Sequence, residues 1–143
     1  MDKIIVAYWS QTGNTEVMAK AIGTGIKESG KEVEVLGISN VLMTELETAE
    51  KFALGCPAMG DEILEESEME PFVIEVEKFV QGKKILLFGS YGWGDGQWMR
   101  DWEARMKNAG AIIVNEVGLI AQDSPNQEVE EQCKKIGALL AKV

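Results

Sequence analysis

The chain has 143 residues, a formal net charge of −10 and no histidine; 45% of its residues are apolar and 27% are charged. That is the profile of one soluble folded domain with enough apolar material for its own core. The missing histidine removes the commonest general base and argues against Ser-His or Cys-His hydrolase chemistry, and the acidic balance makes nucleic acid and anionic membranes poor partners.

In chain order, Lys3 to Trp9 reads as a first strand. Val17, Met18, Ile22 and Ile26 then share a helical face, and Gly30 stops that helix. Val33 to Ile38 is the next strand, Val41 to Ala49 a short helical or irregular piece, and Lys51 to Gly55 the third strand. Phe72, Val76, Phe79 and Val80 set a long helix stopped by Gly82, before strand four over Lys84 to Gly89. Trp98, Met99, Trp102 and Met106 set another helix, stopped by Gly110. Ala111 to Ile120 is strand five, and Val129, Cys133, Ile136 and Leu140 mark a final helix. Strands alternating with helices predict right-handed crossovers and a parallel sheet covered on both faces. No internal repeat or linker interrupts the pattern, so residues 1–143 read as a single domain.

Met1-Asp2-Lys3 leads straight into the first strand, so no signal peptide is expected, and no apolar stretch is long enough to span a bilayer. Cys56 and Cys133 show neither metal spacing nor a CxxC pair and read as free thiols in a reducing cytoplasm. The charge is concentrated. Residues 45–77 hold eleven acids against one base, Lys51, which accounts for the whole net charge; the rest of the chain is neutral. Such a segment is either a solvated face or a docking patch for a basic partner.

Ligands of open parallel sheets sit beyond the carboxyl ends of the strands. The three loops expected there, "SQTGNT", "GCPAMGDE" and "SYGWGDGQ", are unusual. A helix start offers unpaired N–H groups and a partial positive charge; Gly13 allows close approach, and Ser10, Thr12, Asn14 and Thr15 add neutral donors that suit a phosphate. There is no lysine of the Walker A kind and no GxGxxG. The same residues also fit an ordinary helix cap with Thr12 or Asn14 as the capping residue.

Ser10-Gln11-Thr12-Gly13-Asn14-Thr15 resembles the [ST]-x-T-G-x-T phosphate loop of flavodoxins, and the other two loops resemble the isoalloxazine loops of short-chain clostridial-type flavodoxins. The similarity runs over the whole chain. It implies a flavodoxin-like doubly wound five-stranded parallel sheet of order 2-1-3-4-5 with helices on both faces, one non-covalent FMN, and one-electron transfer. Flavodoxins are themselves an example of the strand-end rule, so the FMN position follows from the resemblance. The implied cofactor contacts are Ser10, Gln11, Thr12, Gly13, Asn14 and Thr15 at the phosphate, then Pro57, Ala58, Met59, Gly60, Asp61 and Glu62, and then Ser90, Tyr91, Gly92, Trp93, Gly94 and Asp95, with Asp123 nearby.

In that scheme Trp93 covers the outer face of the ring and Met59 the inner one, although either could simply cover the core. The Gly60-Asp61 peptide would face N5 and rotate to favour a neutral semiquinone, while "MGDE" alone also reads as a plain turn. Glu62 and Gly92 would contact the pyrimidine edge through their backbones. Pro57, where some relatives have a hydroxyl residue, cannot donate and stiffens the loop. Trp98 and Trp102 belong to the core, and Trp9 packs near the phosphate loop.

The implied function is a low-potential carrier shuttling between semiquinone and hydroquinone, a cytoplasmic monomer serving basic-surfaced donors and acceptors, with no catalytic residue and no metal. An FMN-dependent NAD(P)H or quinone reductase would need a second pocket that Trp93 blocks. A receiver domain would need acids after strand one, an Asp after strand three and a Lys after strand five, where Ser10, Cys56 and Ala121-Gln122 stand.

Overall fold

The computed structural model describes residues 3–115 and 118–143. Strands β1 (Ile4–Tyr8), β2 (Val33–Gly37), β3 (Lys51–Gly55) and β4 (Lys84–Tyr91) are joined by two short strands, β5 (Ile112–Ile113) and β6 (Leu119–Gln122). The sheet is parallel in the order β2-β1-β3-β4-β5, with β6 also on β4. The helices are α1 (Asn14–Glu28), α2 (Met43–Thr48), α3 (Met69–Glu77), α4 (Gln97–Asn108) and α5 (Gln127–Lys142).

Strand side chains alternate between two cores. Ile4, Val6, Ala53, Leu86 and Phe88 pack with Met18, Ile22, Ile26, Cys133 and Leu140 of α1 and α5. Ile5, Ala7, Phe52, Leu54, Ile85 and Leu87 pack on the other face with α2, α3 and α4, including Trp98 and Trp102. Val17 departs from expectation: it is exposed, and the buried stripe of α1 runs through Met18, Ile22 and Ile26. Helices α1, α4 and the turn after α3 close on Gly30, Gly110 and Gly82, all with positive φ, as their αβ junctions require. Helix α3 is shorter than the apolar spacing suggests; Phe79 and Val80 lie in the turns that follow it.

The fifth strand position is the main difference from the sequence reading. In place of one strand over Ala111 to Ile120, β5 pairs with Lys84 and Ile85, and β6 pairs with Phe88 to Tyr91. Glu116 and Val117, inside the expected span, lie outside the described residues. Side chains replace the ladder at the interruption. Asn115 Nδ2 donates to the Leu87 carbonyl at 3.4 Å, and the buried Glu103 carboxylate accepts from Gly118 N–H at 2.6 Å. Helix α4 thus takes over hydrogen bonding that a continuous strand would supply.

Candidate functional site

Tyr8, Gly55 and Phe88 stand in one register row, so β1 and β3 end together while β4 runs three residues further. That extension draws three loops to one edge. Cys56 N–H donates to Phe88 O at 3.1 Å, Ala58 N–H to Ser90 O at 2.9 Å, and Asp123 N–H to Tyr91 O at 2.7 Å.

The loop after β1 opens α1. Its N-cap is Gly13, at φ 97°, with no side-chain cap, so neither Thr12 nor Asn14 has the capping role. Ser10 serves instead from three residues back: its Oγ accepts from Gly13 N–H at 3.2 Å and Glu16 N–H at 3.4 Å. Asn14 and Thr15 N–H, at the positive end of the helix, have no acceptor among the described residues. A Cβ added at Gly13 would meet nothing within 4 Å. The three hydroxyls differ. Thr12 is exposed and unbonded; Thr15 is buried, its Oγ1 2.8 Å from Ser90 Oγ and accepting from Ser90 N–H at 3.3 Å. Gln11 is exposed and Asn14 half-buried. An open glycine, unpaired amides and neutral hydroxyls form a cradle that fits a phosphate.

The loop after β3 is a small hairpin. Met59 and Ile63 exchange both backbone hydrogen bonds, at 2.8 and 2.9 Å, leaving Gly60, Asp61 and Glu62 at the tip. Gly60 has φ 50° and open space where a Cβ would stand. Pro57 is buried; Ala58 and Met59 are half-buried. Asp61 is exposed and unpartnered among the described residues. The loop after β4 leaves Gly92, Trp93 and Gly94 exposed, Trp93 to 63%, while Tyr91 lies 5.5 Å from the Trp98 ring, centroid to centroid. Asp95 is held by Arg100, with Nη2–Oδ1 at 2.9 Å. Its place is the start of α4.

Two residues were expected in other roles. Glu62 was assigned a backbone contact, but its carboxylate spans the site: Oε1 accepts from Gly96 N–H at 3.1 Å and Gln97 N–H at 3.0 Å, capping α4. Glu65, counted only as a charge, caps α3. Its carboxylate accepts from Ser67, Glu68 and Met69 N–H and from Ser67 Oγ. Burial pushes its pKa up, but those donors outweigh it and hold the carboxyl down at about 2. Sequence reasoning also missed Gln122, whose Nε2 donates to Gly92 O at 3.4 Å, and the Trp9 indole N–H, which donates to Glu68 Oε1 at 3.0 Å. For Glu65 the signal was present: "EESEM" places an acid just before an apolar helix. Cys56 lies buried beneath the site and Cys133 in the opposite core. Burial pushes both thiols up to about 12, so neither is a reactive thiolate.

The phosphate cradle, the Met59 hairpin and the Trp93 loop therefore meet at one edge. The flavodoxin family profile matches residues 6–136. The chain belongs to the flavodoxin family. It is 51% identical to the flavodoxin of Clostridium beijerinckii, covering 96% of this chain and 99% of that one. It is 40% identical to the flavodoxin of Megasphaera elsdenii, covering 96% and 97%. The solution structure of the two-electron reduced Megasphaera elsdenii flavodoxin superposes with a TM-score of 0.89 at 39% identity, over 98% of this chain and 99% of that one. As a flavodoxin of the short-chain clostridial type, the chain is an FMN-binding electron-transfer protein and not an enzyme, and it works with redox partner proteins. No helix among the described residues is long and apolar enough to cross a membrane.

Proposed function

We propose that the chain is a low-potential one-electron carrier, its FMN cycling mainly between semiquinone and hydroquinone. The observation that carries this reading is the absence of any cation in the two ring loops, residues 57–62 and 90–96, while Asp61 is exposed and unpaired at the hairpin tip. A negative charge added beside such loops is opposed, which lowers the potential of the second electron.

In this reading Ser10 to Thr15 hold the phosphate, Met59 and Trp93 sandwich the ring, and the hairpin tip turns its Gly60-Asp61 peptide toward it. Ser90, Tyr91, Gly92 and Gly94 border the ring; Asp95 and Asp123 act from behind, through Arg100 and the Tyr91 carbonyl. Residues 1–143 act as a single FMN-binding domain, a monomer in the cytoplasm. The exposed acids face partners with basic surfaces. The test is an anaerobic reductive titration of the FMN-loaded protein, followed by absorbance. Two separated one-electron steps are expected, the second far more negative; a single two-electron step would overturn the reading.

A further inference from the structure

Glu62 has an unusual backbone. Only it and Asp123 among the described non-glycine residues have positive φ, 56° for Glu62 and 57° for Asp123, and both lie in the loops of the site. In that region glycine, asparagine and aspartate are the ordinary occupants, and a longer side chain is conformationally disfavoured. What glutamate adds there is reach. Its carboxylate crosses from the Met59 hairpin to the first amides of α4, where Gly96 and Gln97 N–H converge on Oε1. Those two amides open a helix whose N-cap residue, Gly96, offers no side chain of its own. A formal negative charge on the positive end of a helix makes both bonds charge-assisted.

The opposite wall is shaped to receive it. A Cβ added at Gly94, which has φ 90°, would lie 2.6 and 2.7 Å from Oε1 and Oε2 of Glu62, so any side chain there would push the carboxylate off its two amides. Ala58 N–H to Ser90 O joins the roots of the hairpin that carries Met59 and Gly60 and of the loop that carries Trp93. Their tips are joined by Glu62.

We infer that Glu62 is a positioning residue: its carboxylate is a strut that fixes the separation of the two ring-binding loops by capping α4, and it does so before the cofactor arrives. The inference rests on the proposed placement of FMN only for its second readout. The first is hydrogen exchange of the cofactor-free full chain. Glu62→Ala should speed exchange of the Gly96 and Gln97 amides by roughly tenfold or more, and Glu62→Gln, which keeps an acceptor without the charge, by less. Amides in the sheet, such as Leu54 and Leu87, report global opening. A rise at Gly96 and Gln97 no larger than at those positions, or no rise at all, overturns the strut.

The second readout is the affinity of riboflavin, which has the ring but no phosphate. Gly94→Ala should weaken riboflavin in the native background and weaken it less in Glu62→Ala, because the clash with the carboxylate is gone while the backbone strain at residue 94 is common to both. Measurable losses that are additive overturn the role in positioning the ring loops. If exchange behaves as expected but neither variant alters riboflavin binding, the cap stands and it is the placement of the ring that fails.

Discussion

The three hydroxyls of the phosphate loop should behave as three different kinds of residue. Thr12 is exposed and unbonded, so Thr12→Ala removes nothing the cofactor-free protein uses, and its stability should stay within about 0.5 kcal/mol. If its hydroxyl meets the phosphate, FMN loses a hydrogen bond to a charged acceptor, about 1.5–3 kcal/mol or roughly 10- to 100-fold in Kd, and riboflavin loses nothing. Ser10 Oγ takes the N–H groups of Gly13 and Glu16. Ser10→Ala should therefore cost about 1 kcal/mol of helix-start stability without any ligand, and weaken FMN as well. Thr15 is buried and bonded to Ser90 at the root of the Trp93 loop. Thr15→Val keeps the shape and strands Ser90 Oγ, at about 1–3 kcal/mol. Because Ser90 anchors a ring loop, riboflavin should weaken along with FMN. Flavin fluorescence titrations with both ligands and urea unfolding of the cofactor-free variants separate the three patterns. Equal losses of riboflavin and FMN in Thr12→Ala would refute the phosphate assignment.

At Gly60, where φ is 50° and a Cβ would meet nothing, substitution is opposed by backbone conformation and not by space. Gly60→Val should cost about 1–2 kcal/mol and lower the yield of one-electron-reduced protein in an anaerobic titration; an unchanged yield means that freedom is unused. Glu65, held at about 2 against an ordinary 4.5, stabilises the fold fully above pH 4.5 and loses that contribution as pH falls through 2. The urea-unfolding gap between native protein and Glu65→Gln should be roughly 2 kcal/mol at pH 7 and should mostly close by pH 2; a constant gap refutes the cap. The double variant Asp61→Asn, Glu66→Gln should raise the lower potential at low ionic strength by about 15–35 mV per acid, for charges ~10 Å away at an effective dielectric of ~40–80. A potential unchanged within error would make those acids a solubility feature alone.

Much of the fold is legible because the central strands β1, β3 and β4 are apolar on both faces and three helical segments run into glycines with left-handed φ, Gly30, Gly82 and Gly110. Lys51–Gly55 was read to the residue, and the strand order follows from the family. The fifth strand was not legible, because Ala111 to Ile120 is apolar enough to be continuous. What breaks it is tertiary: a buried Glu103 from another element reaching Gly118 N–H, and Asn115 taking the Leu87 carbonyl. The phosphate loop was legible as a motif but not in its division of labour. That Thr15 faces Ser90, 75 residues away, is a consequence of β4 outrunning β3. The same holds for Glu62, whose partners Gly96 and Gln97 are adjacent only after the loops meet.

The acidic segment shows why a count of charges is not a field. Residues 61–70 hold six acids, and superposition would give each an equal share of any effect on the flavin. The structure divides them. Glu70 is matched by Arg105, which holds it through two hydrogen bonds, at 2.8 and 2.6 Å, and also reaches Glu77 at 2.9 Å. Arg105 offsets one of the two carboxylates it holds, so the Glu70–Arg105–Glu77 cluster carries one net negative charge shared by two acids. Glu62 and Glu65 sit on the starts of α4 and α3, where a helix terminus carries about half a positive charge, so each is partly offset by the peptide it caps. Glu68 takes the Trp9 indole N–H, which orients the carboxylate without neutralising it. Asp61 and Glu66 keep their whole charge and face solvent. On the proposed placement of the flavin, Asp61, Glu66 and Glu68 are therefore the acids of this segment expected to weigh most in its field. Neutralising Glu65 instead would confuse a potential shift with a loosened α3. In the proposed function, the acids that hold the loops in place and the acids expected to lower the potential are different residues.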